Sequence, residues 1–217
     1  MNKKVFAIIL IVCLAFGVAF AAKASGLKVG AQLGYGGFSF TITDKDDTKN
    51  YLNIADGGFY FAVDGKYEFA KNISAKAEFG AIIMGKSSWT VSYNGDKKTA
   101  KSDAFPIHFS IYAGAEYCIE ISKEFCVDLG VGFDVLMGKM NDNDSDAESF
   151  NAAMGPALEA DAEYHINDNF KVSVGGKFAW HPINTNKDIT EFIKWLEDED
   201  SVTNFGYQVY AGCTYAF

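Results

Sequence analysis

The sequence predicts an all-β fold, an eight-stranded antiparallel up-and-down transmembrane β-barrel. Eight stretches alternate between apolar and polar residues, which is the period of a strand with one apolar face and one polar face. Their connections alternate between long and short, as in membrane barrels with tight turns on one side and long loops on the other. Aromatic residues concentrate near the strand ends around a mainly aliphatic band, which is typical of a barrel in a bilayer.

Residues 1–24 have the pattern of a cleavable secretory signal peptide. Lys3 and Lys4 give a positively charged start, and residues 5–20 are uniformly apolar or small. This run is shorter than the about 20 residues that a membrane-spanning helix needs. We therefore expect cleavage and a mature barrel domain at 25–217. The small residues that suit cleavage are Ala21/Ala22 and Ala24.

The acidic composition argues against nucleic acid as a partner. The formal net charge is −9 at pH 7, and removal of Lys3 and Lys4 with the leader makes the mature chain more negative. A protein that binds nucleic acid needs a basic surface. The chain contains no arginine, so it has no guanidinium group to hold a phosphate with two parallel hydrogen bonds.

The first three strands follow the leader closely. The first begins at Leu27, and its apolar residues change parity at Gly36-Gly37, where two adjacent glycines predict a β-bulge. A charged connection around 44–47 leads to the second strand, which alternates over 59–69. A minimal break then leads to the third strand, 73–83.

A second long connection, residues 86–103, precedes the other five strands. It contains the turn signal Asn94-Gly95, so we expect a hairpin that extends beyond the membrane. Pro156 is unfavourable in a paired strand because proline removes one ladder hydrogen bond. The five later strands alternate over 105–119, 125–137, 150–164, 170–180 and 205–217.

Closure of the sheet follows from the distribution of charge. The apolar faces carry no Asp, Glu or Lys at the strand centres, so these faces suit lipid. Lipid cannot satisfy the hydrogen bonds of an open sheet edge, and the eight strands must therefore form a ring. An even number of strands brings both chain ends to one side of the membrane. For a chain that is exported from the inner side, we expect that side to be the periplasm.

The alternation, the aromatic girdles and the terminal Phe217 together resemble the small eight-stranded bacterial outer-membrane β-barrels of the OmpA transmembrane domain, OmpX and OmpW kind. The resemblance covers the whole mature chain. It implies a location in the bacterial outer membrane, contact with outer-membrane lipid and insertion by the barrel-assembly machinery. That machinery would read the closing strand through Cys213, Tyr215 and Phe217, of which Cys213 departs from the usual larger apolar residue. We expect a monomer.

Many charged side chains lie at the alternate strand positions that face the barrel axis. Eight strands leave an interior just wide enough for side chains to fill. A salt-bridged polar plug and a narrow, cation-favouring passage are both open at this point. The predicted lumen polar network consists of Asp64, Lys66, Glu68, Lys76, Glu78, Glu116, Glu120, Asp128, Asp134, Glu159, Asp161, Glu163, Lys171 and Lys177.

The cysteines offer one candidate cross-link. Cys118 and Cys126 flank a tight turn on the inward parity, so a disulfide is geometrically plausible and the periplasm permits it. Two separate small side chains are the alternative. The cysteine spacing fits neither a disulfide framework nor a zinc motif, and we expect no cofactor and no resident metal.

The third long connection, residues 140–149, is acidic. Asp142, Asp144, Asp146 and Glu148 resemble the start of a calcium-binding loop, but the required glycine and final glutamate are absent. A solvated acidic loop and a weak divalent-cation site are the two interpretations.

The last long connection, residues 182–204, predicts a short amphipathic helix. Asp188 and Glu191 match a capping box. Apolar residues follow at helical spacing. The helix would either pack onto the loop base or the outer leaflet, or act as a recognition element or lid at the barrel mouth. Its apolar residues are Ile189, Phe192, Ile193, Trp195 and Leu196.

These features favour a structural or surface-interaction role, in membrane integrity, adhesion or host contact through four exposed loops. The alternative is a narrow channel or carrier for small solutes. A third class is a lipid-modifying enzyme that uses His108 and Ser110, which lie two apart on one strand face. Neither an acid partner nor an oxyanion hole can be assigned to that pair from the sequence, so we expect no catalysis.

Overall fold

A computed structural model describes residues 26–44, 46, 48–103, 107–140, 149–184 and 200–217. The predicted leader at 1–24, the acidic segment 141–148 and the predicted loop helix lie outside the described residues. Within the described part of the chain, no helix is long and apolar enough to cross a membrane. The strands are β1 Leu27–Asp44, β2 Tyr51–Ala70, β3 Ile73–Met84, β4 Lys86–Tyr93, β5 Asp96–Asp103, β6 Ile107–Glu120, β7 Phe125–Met140, β8 Ser149–His165, β9 Phe170–Trp180, β10 Ile183–Asn184 and β11 Asp200–Ala216.

Eight of these strands form a closed antiparallel ring, which confirms the predicted fold class. Around the ring the order is β1, β2, β3, β6, β7, β8, β9 and β11, and β11 pairs with β1 to close it. The short strand β10 pairs with β8. We call the end of the barrel that carries the tight turns after β2, β6 and β8 the turn end, and the opposite end the loop end. Lys28 pairs with Ala216 at the turn end, so both ends of the described chain lie there.

The faces of the ring have the polarity expected of a membrane barrel. Aliphatic side chains at mid-strand point outward and are well exposed, such as Val131 at 61% and Leu158 at 62%. Directly paired residues lie on the same face, and Val131 pairs with Leu158. The inward face is polar along most of its length, and towards the loop end it becomes apolar. The apolar interior cluster consists of Tyr60, Ala62, Ile82, Leu136 and Tyr210, with Phe38 packed against it.

The predicted β-bulge at Gly36-Gly37 is wrong. The β1 strand keeps an unbroken register through both glycines, with β11 on one side and with β2 on the other. Phe38 therefore stays on the inward face, where its ring stacks on that of His108 at a centroid distance of 5.1 Å. The apolar residues after the glycines reflect an apolar interior at the loop end, not a change of face.

The first connection is also much shorter than predicted, because its flanking strands continue beyond the barrel. Thr43 still pairs with Tyr51, so β2 begins eight residues before the predicted Phe59. The expected hairpin in the second connection is confirmed. It consists of β4 and β5, and Asn94 and Gly95 have φ angles of 50° and 87°, the left-handed backbone that a tight hairpin turn requires.

The hairpin adds to the extended part of β2, where β4 pairs with residues 51–55. The result is a sheet of β1, β2, β4 and β5 that projects past the ring at the loop end. Register places Phe40, Ile54 and Trp89 on one face of this sheet. We call it the projecting sheet.

Candidate functional site

The barrel interior collects most of the charged residues that alternation assigned to it. The side chains of Asp64, Lys66, Lys76, Glu78, Glu116, Asp128, Asp134, Glu159, Asp161, Glu163 and Lys177 are all buried. Lys171 is half-buried, whereas Glu68 and Glu120 are exposed at the turn end. The structure thus places the larger part of the predicted set in the lumen and three members at its rim.

The pairing register places like charges directly opposite one another on the barrel wall. Lys66 pairs directly with Lys76 across β2 and β3, and Asp128 pairs with Asp161 across β7 and β8. Like charges placed directly opposite one another on neighbouring strands are destabilising. The opposite charges must therefore come from across the lumen, and the network joins strands that are not neighbours in the ring.

Lys66 is the centre of the network on the turn-end side. Its Nζ lies 2.9 Å from Glu116, 3.2 Å from Asp128 and 3.1 Å from Glu163, and Asp161 follows at 3.9 Å. These partners belong to β6, β7 and β8. One ammonium group thus ties β2 to the opposite wall.

Lys76 forms the next layer towards the middle of the barrel. It contacts Glu78 and Glu116 at 3.4 Å each, and it forms a short ion pair with Glu159. Because Glu116 also contacts Lys66, the two lysines share one carboxylate. This sharing offsets the direct pairing of the two lysines on the wall.

Lys177 completes the network nearer the loop end. Its Nζ lies 2.7 Å from Glu78 and 3.0 Å from Asp134. Asp134 also accepts a hydrogen bond from the Ser110 hydroxyl at 3.0 Å and lies 3.0 Å from His181 Nε2. The side chains of Lys177, Asp134 and His181 are fully inaccessible to solvent.

Three tyrosines fill the spaces between these charges. Tyr60 donates to Glu78 at 2.6 Å, and Tyr210 donates to Asp161 at 2.8 Å and to Glu159. The Tyr112 ring lies under Lys177, whose Nζ is 4.8 Å from the ring centroid. Tyr60 and Tyr112 are 0% exposed. Solvent therefore does not reach these two side chains, which lie inside the lumen.

The proposed Ser110 and His108 pair does not have the arrangement of a nucleophile and its base. In a serine triad the histidine receives the serine proton and the carboxylate lies behind the histidine. Here Ser110 donates to Asp134, and Asp134 stands between Ser110 and His181. His108 stacks on Phe38 instead. Ser110, Asp134 and His181 thus bind one another and are buried.

A cavity of about 300 Å³ opens at the turn end, below Lys66. It is lined by polar side chains, including those of Cys118, Cys126, Asp128, Glu163 and His165. Cys118 and Cys126 are free thiols in this structure. Cys118 pairs with Asp128, and Cys126 pairs with Glu120, so the two cysteines are diagonal neighbours.

Of the proposed assembly residues, Cys213 and Tyr215 lie on the outer face of β11, and Phe217 directly follows the strand. Cys213, Tyr215 and Phe217 are all exposed, and the Tyr215 and Phe217 rings meet edge to face at a centroid distance of 5.0 Å. The predicted calcium-like loop and the predicted loop helix lie outside the described part of the chain.

Some interior residues could have been found from the sequence but were not. Tyr60 and Tyr210 have the inward parity of their strands and bind the network carboxylates. His181 continues the inward parity of Lys177 and Ala179 one step past β9. The inward position of these residues could therefore be read from the alternation along each strand. The predicted network was incomplete because it included charged residues only.

A model of the outer membrane protein beta-barrel domain family matches residues 6–217. The chain belongs to this family. It is an outer-membrane β-barrel protein. A comparison with curated protein sequences found no match.

Solved structures show the same fold at low sequence identity. Neisserial surface protein A is 13% identical with a TM-score of 0.55, covering 89% of this chain and 98% of that one. The outer membrane protein OprG from Pseudomonas aeruginosa is 10% identical with a TM-score of 0.51, covering 89% and 97%. The outer membrane protease OmpT from Escherichia coli is 10% identical with a TM-score of 0.50, covering 88% and 96%. At these identities the likeness shows the fold alone.

Proposed function

We propose that this barrel has a structural and surface-interaction role and is not a conduit. The observation that supports it most strongly is the filled interior, where Tyr60, Tyr112 and Asp134 have no exposed surface. A conducting path through the barrel would pass these side chains and leave them wetted. Their hydrogen bonds and ion pairs hold them across the lumen instead.

The orientation belongs to the same proposal. Both ends of the described chain lie at the turn end, and an exported chain inserts from the periplasmic side. The turn end then faces the periplasm, and the projecting sheet stands outside the cell. We also propose that the protein is a monomer, because the ring closes all eight strands and leaves no unpaired edge in the bilayer.

The projecting sheet is the surface that would make the contact. Trp89, Val91 and Tyr93 on β4 are exposed at 40%, 50% and 68%. Aromatic side chains presented by a paired strand are typical of binding surfaces, because they bury large areas at a low cost in conformational entropy. The partner would be a host or other extracellular ligand with an apolar patch.

Planar-bilayer recording tests the closed lumen. We expect the refolded chain to give no steady unitary currents, whereas reproducible single-channel steps would overturn the proposal and favour the channel alternative.

Attachment of expressing cells to host cells or matrix proteins tests the contact surface. We expect Trp89→Ser with Tyr93→Ser to reduce attachment, and Thr99→Ala, at an exposed position on β5, to leave it unchanged. Equal attachment by cells that express the wild type, the double variant and Thr99→Ala would show that the projecting sheet is not the contact surface.

A further inference from the structure

We infer that the turn end of the barrel holds a site for one thiophilic divalent cation of the zinc class, centred on Cys126. Two sets of potential ligand atoms share this cysteine. Cys118, Cys126 and Asp128 form one, and Cys126, Glu163 and His165 form the other, and within each set all ligand atoms lie within 4.8 Å of one another. These residues come from β6, β7 and β8 and line one cavity.

The spacing fits tetrahedral zinc. Zinc lies about 2.3 Å from sulfur and about 2.0 Å from nitrogen, so a sulfur and a nitrogen on one tetrahedral ion stand about 3.5 Å apart. The Cys126 Sγ lies 3.6 Å from His165 Nε2, and 3.9 Å from Asp128 Oδ1. The ligand atoms are already near the separations that the ion would impose.

Asp128 is the better of the two carboxylates as a ligand. Its Oδ2 binds Lys66 at 3.2 Å, whereas its Oδ1 faces Cys126. Glu163 Oε2 lies 3.7 Å from the same sulfur, but this oxygen already binds Lys171 at 2.9 Å, and the other oxygen binds Lys66. Asp128 can thus hold a metal through one oxygen while Lys66 orients it through the other, as residues behind the ligands do in metal sites.

We therefore assign Cys118, Cys126, Asp128 and His165 as the ligands. His165 ends β8, is half-buried and joins the set through Cys126, whose Sγ lies 3.6 Å from its Nε2. The two thiols lose their protons on binding, which offsets the two charges of the ion. The lysines of the network beside the site then experience no added positive charge.

A disulfide is the main competitor, and the register disfavours it. Cys118 and Cys126 are diagonal, since each pairs directly with another residue. Diagonal neighbours in an antiparallel pair lie roughly 7–8 Å apart, beyond the usual limit of about 6.8 Å between the Cα atoms of a disulfide. A metal ion spans two thiolates about 3.8 Å apart and needs no such approach.

Titration of the full refolded chain in detergent with Co²⁺ under a non-chelating reductant tests the site. We expect thiolate-to-cobalt charge-transfer absorption and the visible bands of tetrahedral cobalt, saturating at one equivalent and lost on addition of Zn²⁺. Cys126→Ser should abolish the bands, and His165→Gln should weaken binding at least about tenfold. Cys213→Ser removes a cysteine on the outer face and should leave the titration unchanged.

Folding of each variant is checked by its heat-modifiable migration on gels. If Cys126→Ser does not fold, Cys118→Ser and His165→Gln carry the test. The inference fails if the reduced chain gives no charge-transfer band, if the band survives in Cys126→Ser, or if it disappears in Cys213→Ser. It also fails if peptide mapping of the exported protein finds Cys118 and Cys126 joined in a disulfide. None of these outcomes bears on the closed lumen, so the two proposals stand or fall separately.

Discussion

The ring of Tyr112 lies directly against the backbone of Gly132 on the neighbouring strand. A Cβ added at Gly132 would stand 2.6 Å from the Cε2 atom of that ring. Gly114, the direct partner of Gly132, is as close to the same tyrosine, whose hydroxyl would lie 2.4 Å from an added Cβ. Because Gly114 and Gly132 have no side chains, they leave the space that the Tyr112 side chain occupies in the lumen.

Substitution of Gly132 by alanine should destabilise the barrel. The added methyl group meets the rigid edge of Tyr112 and the backbone carbonyl of Ala113 at 2.5 Å, so the ring or the strand must move. Overpacking of this kind costs about 1–3 kcal/mol. Urea unfolding of the refolded protein in micelles, followed by tryptophan fluorescence, should show a lower midpoint. Gly65→Ala is the matched control, because nothing lies within 4 Å of an added Cβ there, and an equal loss in both variants would contradict the explanation.

Replacement of Lys66 by methionine should destabilise the barrel more strongly. The change keeps much of the side-chain length but leaves Glu116, Asp128 and Glu163 without a shared cation. Removal of one partner from a buried ion pair typically costs about 3–5 kcal/mol. The free energy of unfolding in urea measures the effect.

The control for Lys66→Met is Lys28→Met. Lys28 pairs with Glu68 at 3.2 Å near the surface, where their side chains are 20% and 39% exposed. Pairs at such positions contribute about 1 kcal/mol or less. A similar loss of stability in the two variants would show that the network around Lys66 stabilises the barrel no more than a surface pair does.

The sequence predicted the ring and the β4–β5 hairpin but not the first part of β2, for a physical reason. Between the girdles, lipid on one side and a polar lumen on the other impose strict alternation, so β6 to β9 agree with expectation within a few residues. Beyond the bilayer this constraint ends. The first part of β2 pairs with the last part of β1 in water, and no polarity pattern marked residues 51–58 as strand.

The interior contacts show a second limit. Parity indicates that Lys66 and Glu163 both face the axis, but their contact at 3.1 Å runs between β2 and β8, which are not neighbours in the ring. Such a contact depends on the stagger of all strands, which no local pattern encodes. The cluster around Cys126 was missed for the same reason, because its residues come from three strands and match no linear spacing.

Removal of the two fully buried tyrosines should open the lumen. Tyr60→Gly combined with Tyr112→Gly deletes the rings that close the interior. Because acids outnumber lysines among the buried charges, the resulting path should favour cations. We expect unitary currents in planar bilayers with a reversal potential that indicates cation selectivity. The control carries Tyr35→Gly and Tyr67→Gly on the outer face, where both rings are exposed, and it should remain silent. A silent double variant of Tyr60 and Tyr112 would show that the charge network alone seals the barrel.

Phe217 offers a test of assembly that separates recognition from membrane anchoring. We expect Phe217→Ser to lower the amount of folded protein in the outer membrane, because the assembly machinery would no longer find an aromatic residue at the end of β11. Phe69 has a comparable place in the turn-end girdle, exposed at 58% against 51% for Phe217, but it lies near the end of β2 and not of the closing strand. If Phe217 acts only as a girdle residue, Phe69→Ser should reduce assembly equally. If the closing strand is read as a signal, heat-modifiable protein in outer-membrane fractions should fall several-fold for Phe217→Ser and stay near the wild-type amount for Phe69→Ser, while both purified chains should refold in detergent to a similar yield.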